Sequence, residues 1–244
     1  MDERVAVVTG GGQGIGLAIC QQLAASGNRV IVVDIDGDLA QDAAKLLPGD
    51  LGVSHRCDVM SYEQVKNMAD WVIADFGVPE AVVMNVGWTP DKRYLETSLA
   101  EQQKIIAVNL EGSLHTTRVF LPGMIEAMDG RLVFISSDAA RAGVPGQAVY
   151  AAAKAGLIGF AKSMAVELAR YEITVNVVCP GTTNTPLTMK LSEDAREKRI
   201  KIHPRRRFAE PHDIAVAVDF FVRPESSFIT GQVLSVNGGM LRAG

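Results

Sequence analysis

Tyr150 and Lys154 are the two residues of this sequence whose types and spacing most directly suggest chemistry. They are four positions apart in a stretch of helical periodicity, so their side chains lie on one helix face. A free phenol, with a pKa of about 10, is a poor base at neutral pH, and a neighbouring ammonium group stabilises the phenolate and lowers that pKa. The pair therefore predicts a site that exchanges a proton with a substrate oxygen. A surface pair that only stabilises its helix is the alternative.

Ser137 and Asn109 are candidates to assist this proton exchange. Ser137 follows an apolar run and precedes Tyr150 by thirteen residues, so its hydroxyl could hold the substrate oxygen at the end of a parallel strand. For its neighbour Ser136 we expect a structural role. Asn109 lies on an apolar helical stripe, where a buried amide needs partners, although a merely structural asparagine is the alternative. The predicted catalytic set is Asn109, Ser137, Tyr150 and Lys154.

A glycine-rich segment at 9–16 lies between an apolar run and a helical pattern. Glycines let a backbone approach a pyrophosphate, and a helix N-terminus supplies N–H groups, so this context argues against a merely flexible loop. Asp34 ends the next apolar run, twenty residues after Gly14. A carboxylate there accepts hydrogen bonds from an adenosine ribose and repels a 2′-phosphate. Since the glycine loop and the residues just after Asp34 contain no Lys or Arg, we expect NAD rather than NADP.

Alternating strands and helices must position these residues. Short apolar runs recur at 5–8, 30–33, 81–84, 132–135, 175–179 and 233–236. Uninterrupted Val- and Ile-rich runs favour a parallel sheet that is covered on both faces, and the segments between them have helical length and period. The pattern predicts a single α/β domain over residues 1–244. We expect a Rossmann-type, doubly wound parallel sheet of about seven strands with helices on both faces.

Composition narrows the class of protein. The 244 residues are 48% hydrophobic and 21% charged, with a net charge of −4, which favours small-molecule partners over nucleic acid or an anionic membrane. Cys20, Cys57 and Cys179 are far apart and form no metal-ligand pattern, so we expect reduced core residues and no metal site. The N-terminus has no signal-peptide pattern and no uncharged apolar run nears 18 residues, so a cytoplasmic location is expected.

The glycine spacing Gly10-x3-Gly14-x-Gly16 resembles the TGxxxGxG motif of the short-chain dehydrogenase/reductase family, and Tyr150 with Lys154 resembles its YxxxK motif. Further matches follow in the family's order along nearly the whole chain, at Asp58, Asn85-Val86-Gly87, Asn109, Ser137, Pro180-Gly181 and Thr185. The segment at 85–87 departs from the family's NAG pattern at Val86. The resemblance implies the strand order 3-2-1-4-5-6-7 and a homotetramer built through the long helices near 109–128 and 150–170.

The resemblance also implies roles for individual residues. Lys154 would bond the nicotinamide ribose, Asn109 would anchor a water chain to that lysine, and Asp58 would contact the adenine. The cofactor-binding residues implied by the glycine loop and by the resemblance are Gly10, Gln13, Gly14, Ile15, Gly16, Asp34, Ile35, Asp58, Val59, Asn85, Gly87, Tyr150, Lys154, Pro180, Gly181, Thr183 and Thr185.

Substrate recognition is expected from the loop after the fourth strand, from the segment before Tyr150, and from a partly helical lid at about 182–207. The candidate residues are Trp88, Arg141, Gln147, Arg205 and Arg206. Trp88 offers an apolar wall, although packing explains a lone tryptophan equally well. We hypothesise that some of these arginines bind an anionic part of the substrate, such as a CoA phosphate, a carboxylate or a sulfonate. A solvated charge run or interface ion pairs are an equal alternative.

The expected function is transfer of a hydride between NAD and a secondary alcohol or ketone, with a hydroxyacyl-CoA or another anionic or cyclic alcohol as substrate. The segments 137–141, 176–181 and 229–236 resemble bacterial 2-hydroxycyclohexanecarboxyl-CoA dehydrogenases more than acyl-carrier reductases, which favours alcohol oxidation. A 3-oxoacyl-thioester reductase is the alternative, although Asp34 argues against an NADPH-dependent one. A non-catalytic cofactor-binding regulator is the second alternative, but such a protein would normally have lost Tyr150 or Lys154.

Overall fold

A computed structural model describes residues 4–186, 188–190 and 192–242. Within these residues, seven parallel strands form one sheet in the order β3-β2-β1-β4-β5-β6-β7, which confirms the predicted fold class and strand order. The strands are β1 (Val5–Thr9), β2 (Arg29–Asp34), β3 (Gly52–Arg56), β4 (Ala81–Met84), β5 (Gly130–Ile135), β6 (Ile173–Pro180) and β7 (Val233–Val236).

Helices of very different length connect the strands. They are α1 (Gly14–Ala25), α2 (Gly37–Lys45), α3 (Tyr62–Phe76), α4 (Leu99–Ile106), α5 (Gly112–Ala127), α6 (Ala139–Ala142), α7 (Ala148–Leu168), α8 (Glu193–Ile202) and α9 (Pro211–Val222), with a π-helical turn, Ala107–Glu111, joining α4 to α5. At α4, the Ser98 hydroxyl accepts from the Glu101 N–H at 3.2 Å and the Glu101 carboxylate accepts from the Ser98 N–H at 2.9 Å. Each side chain thus satisfies a free donor at the helix start.

Two apolar cores, one on each face, explain why the strands read as continuous hydrophobic runs. On one face, β-strand residues such as Val7 and Phe134 pack with side chains of α3, α5 and α7, including Phe120. On the other face, Val8 and Val133 pack with side chains of α1, α2 and α9. Since successive residues of a strand point to opposite faces, nearly every strand position must be apolar.

All seven strands run in the same direction, so their carboxyl ends meet at one edge of the sheet. The last residues of β1, β2 and β4 are Thr9, Asp34 and Met84, and those of β5 and β6 are Ile135 and Pro180. The loops that follow therefore converge, and open α/β sheets bind their ligands at this edge.

β3 is the strand that the search for apolar runs missed. Gly52–Arg56 reads Gly-Val-Ser-His-Arg, and its residues are half-buried or exposed. Because β3 pairs only with β2 at the border of the described sheet, it has no need of a continuous apolar run.

The segment predicted as a partly helical lid does contain helix. A 3-10 turn at Thr188–Lys190 precedes α8, and Thr183 forms a parallel bridge with Ala209. Two positions of this segment, 187 and 191, lie outside the described residues. Among the helices of the described chain, none is long and apolar enough to cross a membrane.

Candidate active site

The glycine loop after β1 is folded as tightly as its sequence suggests. Gly10 and Gly14 have φ angles of 65° and 56°, in the left-handed region that favours glycine. A Cβ atom on Gly16 would lie 1.9 Å from the carbonyl oxygen of Gly10, so no larger residue fits there. The Asn85 side chain donates to the same carbonyl at 2.8 Å, which ties the loop to the end of β4.

The start of α1 is suited to an anion. Gln13 precedes the helix without a side-chain capping bond, and no acidic residue lies in the first turn, which begins at Gly14 and includes Ile15. The N–H groups of this turn are therefore available to phosphate oxygens, and the helix dipole favours negative charge. A Cβ atom on Gly14 would be 3.5 Å from the Thr185 methyl group, so the segment after β6 lies close over the glycine loop. The residues present fit the pyrophosphate of a dinucleotide.

Asp34, which we predict to bind the adenosine ribose, ends β2 beside the glycine loop. Its carboxylate accepts from the N–H of Gly12 at 3.0 Å and from that of Asp36 at 3.2 Å, which holds it beside the glycine loop. Ile35, the next residue, is 57% exposed and borders the same cleft. Arg56 is the register partner of Asp34 on β3, and its Nε donates to the carbonyl of Ile35 at 3.2 Å. Sequence reasoning missed this cation because it is close to Asp34 only across the sheet.

The loops after β3 and β4 carry four more of the predicted cofactor residues, Asp58, Val59, Asn85 and Gly87. Asp58 accepts from the Met60 N–H at 2.9 Å, which shapes its turn. Val59 is buried under α5, where a Cβ atom on Gly112 would come within 2.6 Å of it. Gly87 leaves room beside α7, because a Cβ atom there would be 3.6 Å from the ammonium nitrogen of Lys154.

Lys154 is buried inside α7, with a side chain that reaches back toward the sheet. Its Nζ donates to the carbonyl oxygens of Val86 and Ile135, each at 2.9 Å. Burial lowers the pKa of Lys154 from 10.5 to about 7. Two of its three N–H donors are thus engaged at the ends of β4 and β5, and the third is available to a ligand in the cleft.

Tyr150 lies one turn before Lys154, and the Nζ atom is 6.0 Å from the centre of its ring. Burial raises the pKa of Tyr150 to about 12, a hydrogen bond with Ser137 offsets part of this rise, and the negative charge of Asp91 adds to it. The direction is opposite to the sequence expectation, because burial of the phenol penalises its charged form. Tyr150 is therefore protonated at neutral pH and can act as an acid.

The two serines after β5 have separate roles in the structure. The Ser136 hydroxyl is buried and donates to the carbonyl of Lys154 at 2.8 Å, as expected for a structural residue. Ser137 points into the cleft, where its Oγ accepts from the Ala139 N–H at 3.1 Å. The same hydroxyl forms a hydrogen bond with Tyr150, so Ser137 and Tyr150 are placed to contact one substrate oxygen together.

Asn109 lies in the π-helical turn Ala107–Glu111 and is fully buried. Its amide nitrogen donates to the carbonyls of Trp88 and Ile105 at 2.7 and 2.8 Å, and its oxygen accepts from the Trp88 N–H at 3.0 Å. These bonds fasten the loop after β4 to the helix. The buried amide is thus fully paired, and it lies next to Gly87, whose Cβ position would be 3.4 Å from Asn109 Oδ1.

A small cavity lies beside Tyr150. It is lined by the loop after β4 and the segment before α7, and its internal volume of about 10 Å³ is close to that of one water molecule. Gln147 lines it and donates to the Asp91 carboxylate at 2.6 Å, which joins the two segments. Trp88, predicted as an apolar wall, does not line it, because its ring packs against Lys104, whose Nζ is 4.7 Å from the ring centre.

The predicted arginines are not gathered into one anion site. Arg141 donates to the Ser235 hydroxyl at 2.6 Å, and the Arg206 guanidinium donates to the Lys201 carbonyl. Arg207 forms an ion pair with Asp213 at 2.8 Å. Arg205 packs against the turn at Gly238, where a Cβ atom would be 2.6 Å from its Cγ. The alternative of a solvated charge run thus accounts for Arg207, which directly follows the predicted Arg205 and Arg206 in the sequence.

The Pro180-Gly181 segment crosses the end of the sheet. Gly181 donates through its N–H to Val236 on β7 at 3.0 Å. The buried Thr183 hydroxyl donates to the Gly181 carbonyl at 3.0 Å, which shapes the turn toward Thr185. This segment therefore faces the glycine loop from the other side of the cleft.

Asp138 is a residue beside the site that sequence reasoning passed over. It directly follows Ser137 and binds side chains nearly one hundred positions later, at Ser235 and Asn237. Its neighbour in sequence could have drawn attention to it. Its partners could not have been found, because their proximity depends on β5 and β7 ending at the same edge.

The chain matches a family model and several known proteins along most of its length. A family model described as Enoyl-(Acyl carrier protein) reductase matches residues 10–241. The 3-oxoacyl-[acyl-carrier-protein] reductase FabG of Aquifex aeolicus (strain VF5) is 37% identical over 247 residues, covering 97% of both chains. The acetoacetyl-CoA reductase of Synechocystis sp. is 39% identical over 239 residues, covering 98% of this chain and 96% of that protein. Carbonyl reductase family member 4 of Xenopus laevis is 37% identical over 237 residues, with coverages of 97% and 98%.

The names of these relatives favour the alternative function over the first expectation. Two of these names describe a 3-oxoacyl-[acyl-carrier-protein] reductase and an acetoacetyl-CoA reductase, and the third describes a carbonyl reductase. None of the three describes a dehydrogenase of cyclic hydroxyacyl-CoA. The glycine loop, the Tyr150–Lys154 pair and the match along nearly the whole chain lead to one conclusion: this protein is an oxidoreductase that belongs to the short-chain dehydrogenase/reductase family.

Proposed function

We propose that this protein reduces a 3-oxoacyl thioester to the 3-hydroxyacyl thioester with NADH as the hydride source. The observation that carries the proposal is that Tyr150, Ser137 and Lys154 lie together at the sheet edge that also carries the glycine loop. The names of the relatives support the thioester substrate, and this choice replaces cyclic hydroxyacyl-CoA as the first candidate.

Tyr150 holds the proton that reduction of a carbonyl requires. Burial raises its pKa to about 12, which makes it a weaker acid than a free phenol but keeps it protonated at neutral pH. Its hydroxyl gives the proton to the substrate oxygen as negative charge develops there, while Ser137 donates a hydrogen bond to the same atom. When bound, the nicotinamide supplies the hydride for the substrate carbon.

Lys154 supports this step by charge and by position. Its bonds to the carbonyls of Val86 and Ile135 hold the Nζ atom behind the Tyr150 ring. In its ammonium form it stabilises the negative charge left on Tyr150 after proton donation. Its third N–H donor is free to hold a ribose hydroxyl, and Asn109 keeps the neighbouring loop in place through Trp88.

The preference for NADH over NADPH is argued from Asp34. Its carboxylate is fixed beside the glycine loop by Gly12, where it accepts from ribose hydroxyls and repels a 2′-phosphate. Arg56, on the neighbouring strand, is the described cation nearest to Asp34 by sheet register and would lessen that repulsion. We therefore propose a preference for NADH that is incomplete rather than absolute.

A test with acetoacetyl-CoA addresses the whole proposal. Oxidation of NADH is followed by absorbance for the parent, for Tyr150→Phe and for Tyr171→Phe, a control tyrosine outside the site. We expect Tyr150→Phe to lose roughly 10²- to 10⁴-fold in kcat, because general acid catalysis contributes about that much. Parent-like turnover by Tyr150→Phe would contradict the proposal, as would no turnover of any 3-oxoacyl thioester by the parent.

Oxidation of a cyclic or other anionic hydroxyacyl-CoA remains the second candidate, because Arg141 bonds Ser235 in β7 and Arg205 packs against Gly238, two residues after that strand. We also propose that copies of the chain associate, as the family resemblance implies for a homotetramer. Large apolar side chains on α7 and after α9 support association, since Val166 is 83% exposed and Phe228 is fully exposed. The relative rates with the two thioester classes distinguish the two candidate substrates.

A further inference from the structure

Asp138 joins three strand ends at the edge of the sheet that carries the site. Its carboxylate accepts from the Ser235 hydroxyl at 2.9 Å and from the Asn237 amide at 2.5 Å, at the end of β7. Its own N–H donates to the carbonyl of Pro180, the last residue of β6, at 3.0 Å. Because Asp138 itself follows β5, one residue connects the ends of β5, β6 and β7.

Asp138 also begins the helical turn that contacts the Ser137 hydroxyl. The short helix α6 begins directly after Asp138, and the Ala142 N–H donates to the Asp138 carbonyl at 2.9 Å. This helical turn places the Ala139 N–H against Ser137 Oγ at 3.1 Å. The direction in which the Ser137 hydroxyl hydrogen points therefore depends on a turn that Asp138 anchors at both its side chain and its backbone.

Each oxygen of the Asp138 carboxylate accepts a hydrogen bond, which indicates that the side chains of this network have one preferred arrangement. Burial raises the pKa of Asp138, while hydrogen bonds from Asn237 and Ser235 and the charge of Arg141 act in the opposite direction. Arg141 donates to the Ser235 hydroxyl at 2.6 Å, so Ser235 accepts from Arg141 and donates to Asp138. Removing one member of such a network leaves the others with unmet hydrogen bonds.

We propose that Asp138 is a positioning residue for the reduction: it holds the turn after β5 so that the Ser137 hydroxyl is directed at the substrate oxygen. The inference rests on the proposed function, since it assumes that Ser137 contacts the substrate. A purely structural anchor for the C-terminal segment is the competing explanation, and the experiment must separate the two.

Three variants test the contact itself. Asp138→Asn has the same shape but replaces one acceptor oxygen with an NH2 group, so it cannot accept from both Asn237 and Ser235. The double variant Asp138→Asn, Asn237→Asp exchanges the two groups and restores a donor–acceptor pair. Asp219→Asn is the control, because Asp219 is an equally hydrogen-bonded and more deeply buried carboxylate that bonds Ser26, beyond the far end of α1.

The readouts are kcat with acetoacetyl-CoA, the Kd for NADH from fluorescence, and the thermal midpoint. We expect Asp138→Asn to lower kcat at least tenfold, since small misplacement of a reacting group costs rates of about this size or more. The Kd for NADH should change less than twofold, and the exchange variant should recover part of the lost kcat. Asp219→Asn should lower the thermal midpoint while leaving kcat unchanged.

The same substitution in a Ser137→Ala background separates positioning from general damage. If Asp138 acts through Ser137, Asp138→Asn has almost no further effect on kcat once the hydroxyl is gone. An equally large loss of kcat in that background, or a parent-like kcat for Asp138→Asn, would overturn this inference and leave the proposed function standing. A parent-like kcat for Ser137→Ala would overturn the role of Ser137 in the proposed function and this inference with it.

Discussion

Lys154 should make the stability of this protein rise with pH. Burial lowers its pKa to about 7 in the folded protein, whereas the unfolded chain has the ordinary value of 10.5. Between these two values the unfolded state binds more protons, so the free energy of unfolding increases as pH rises. Well below pH 7, Lys154 is protonated in both the folded and the unfolded state. The free energy of unfolding is then lowered by the full cost of burying the charge. For one group with these pKa values the gain from pH 7 to pH 9 is about 2 kcal/mol.

The assay compares urea unfolding of the parent and Lys154→Met at pH 7, 8 and 9, by circular dichroism at one protein concentration. Subtraction of the two unfolding free energies removes the titration of every other group, including Tyr150. We expect the difference, Lys154→Met minus parent, to decrease by about 2 kcal/mol across this range. Lys162 lies on the exposed side of the same helix. The unfolding free energies of Lys162→Met and the parent should differ by the same amount at all three pH values. Parallel curves for the parent and Lys154→Met would refute the reasoning.

Other predictions concern the choice of cofactor, the glycine loop, substrate binding and a helix start. Asp34→Ala should raise the ratio of kcat/KM with NADPH to that with NADH at least tenfold, since a repulsive charge is lost; an unchanged ratio would count against its role. Gly16→Ala should abolish NADH binding in a fluorescence titration while leaving a folded chain, because its Cβ would clash with Gly10. Arg205→Gln should raise KM for acetoacetyl-CoA more than for a neutral ketone, and equal effects would reject the anion hypothesis. Ser98→Ala should cost about 1 kcal/mol in urea unfolding, with kcat unchanged.

Much of the architecture could be predicted because strands buried on both faces leave a plain pattern. The runs at 5–8 and 81–84 lie within or coincide with β1 and β4, and both are flanked by recognisable helices. β3 could not be found in this way, because an edge strand with Ser54 and His55 lacks the apolar signal. The strand order followed from the family resemblance rather than from periodicity.

At the candidate site, residue identity was predictable but electrostatics was not. The motif spacing brought Tyr150, Lys154 and Ser137 to one cleft, as the structure has them. The pKa of Tyr150 is raised where the sequence argument expected it to be lowered, because four-residue spacing gives proximity and says nothing about desolvation. Contacts such as Gln147 with Asp91 depend on where two loops meet, which local sequence does not encode.

The π-helical turn at Ala107–Glu111 has a consequence for insertions and deletions in this chain. Such a turn holds one residue more than an α-helical turn, and each residue of a helix rotates the next by about 100°. Deleting one residue between α4 and α5 would let the two helices merge into a regular helix and would swing Asn109 away from the backbone of Trp88. Point substitutions elsewhere in α4 do not change the rotation of Asn109 about the helix axis. Insertions and deletions are therefore more damaging than substitutions at this place in the chain.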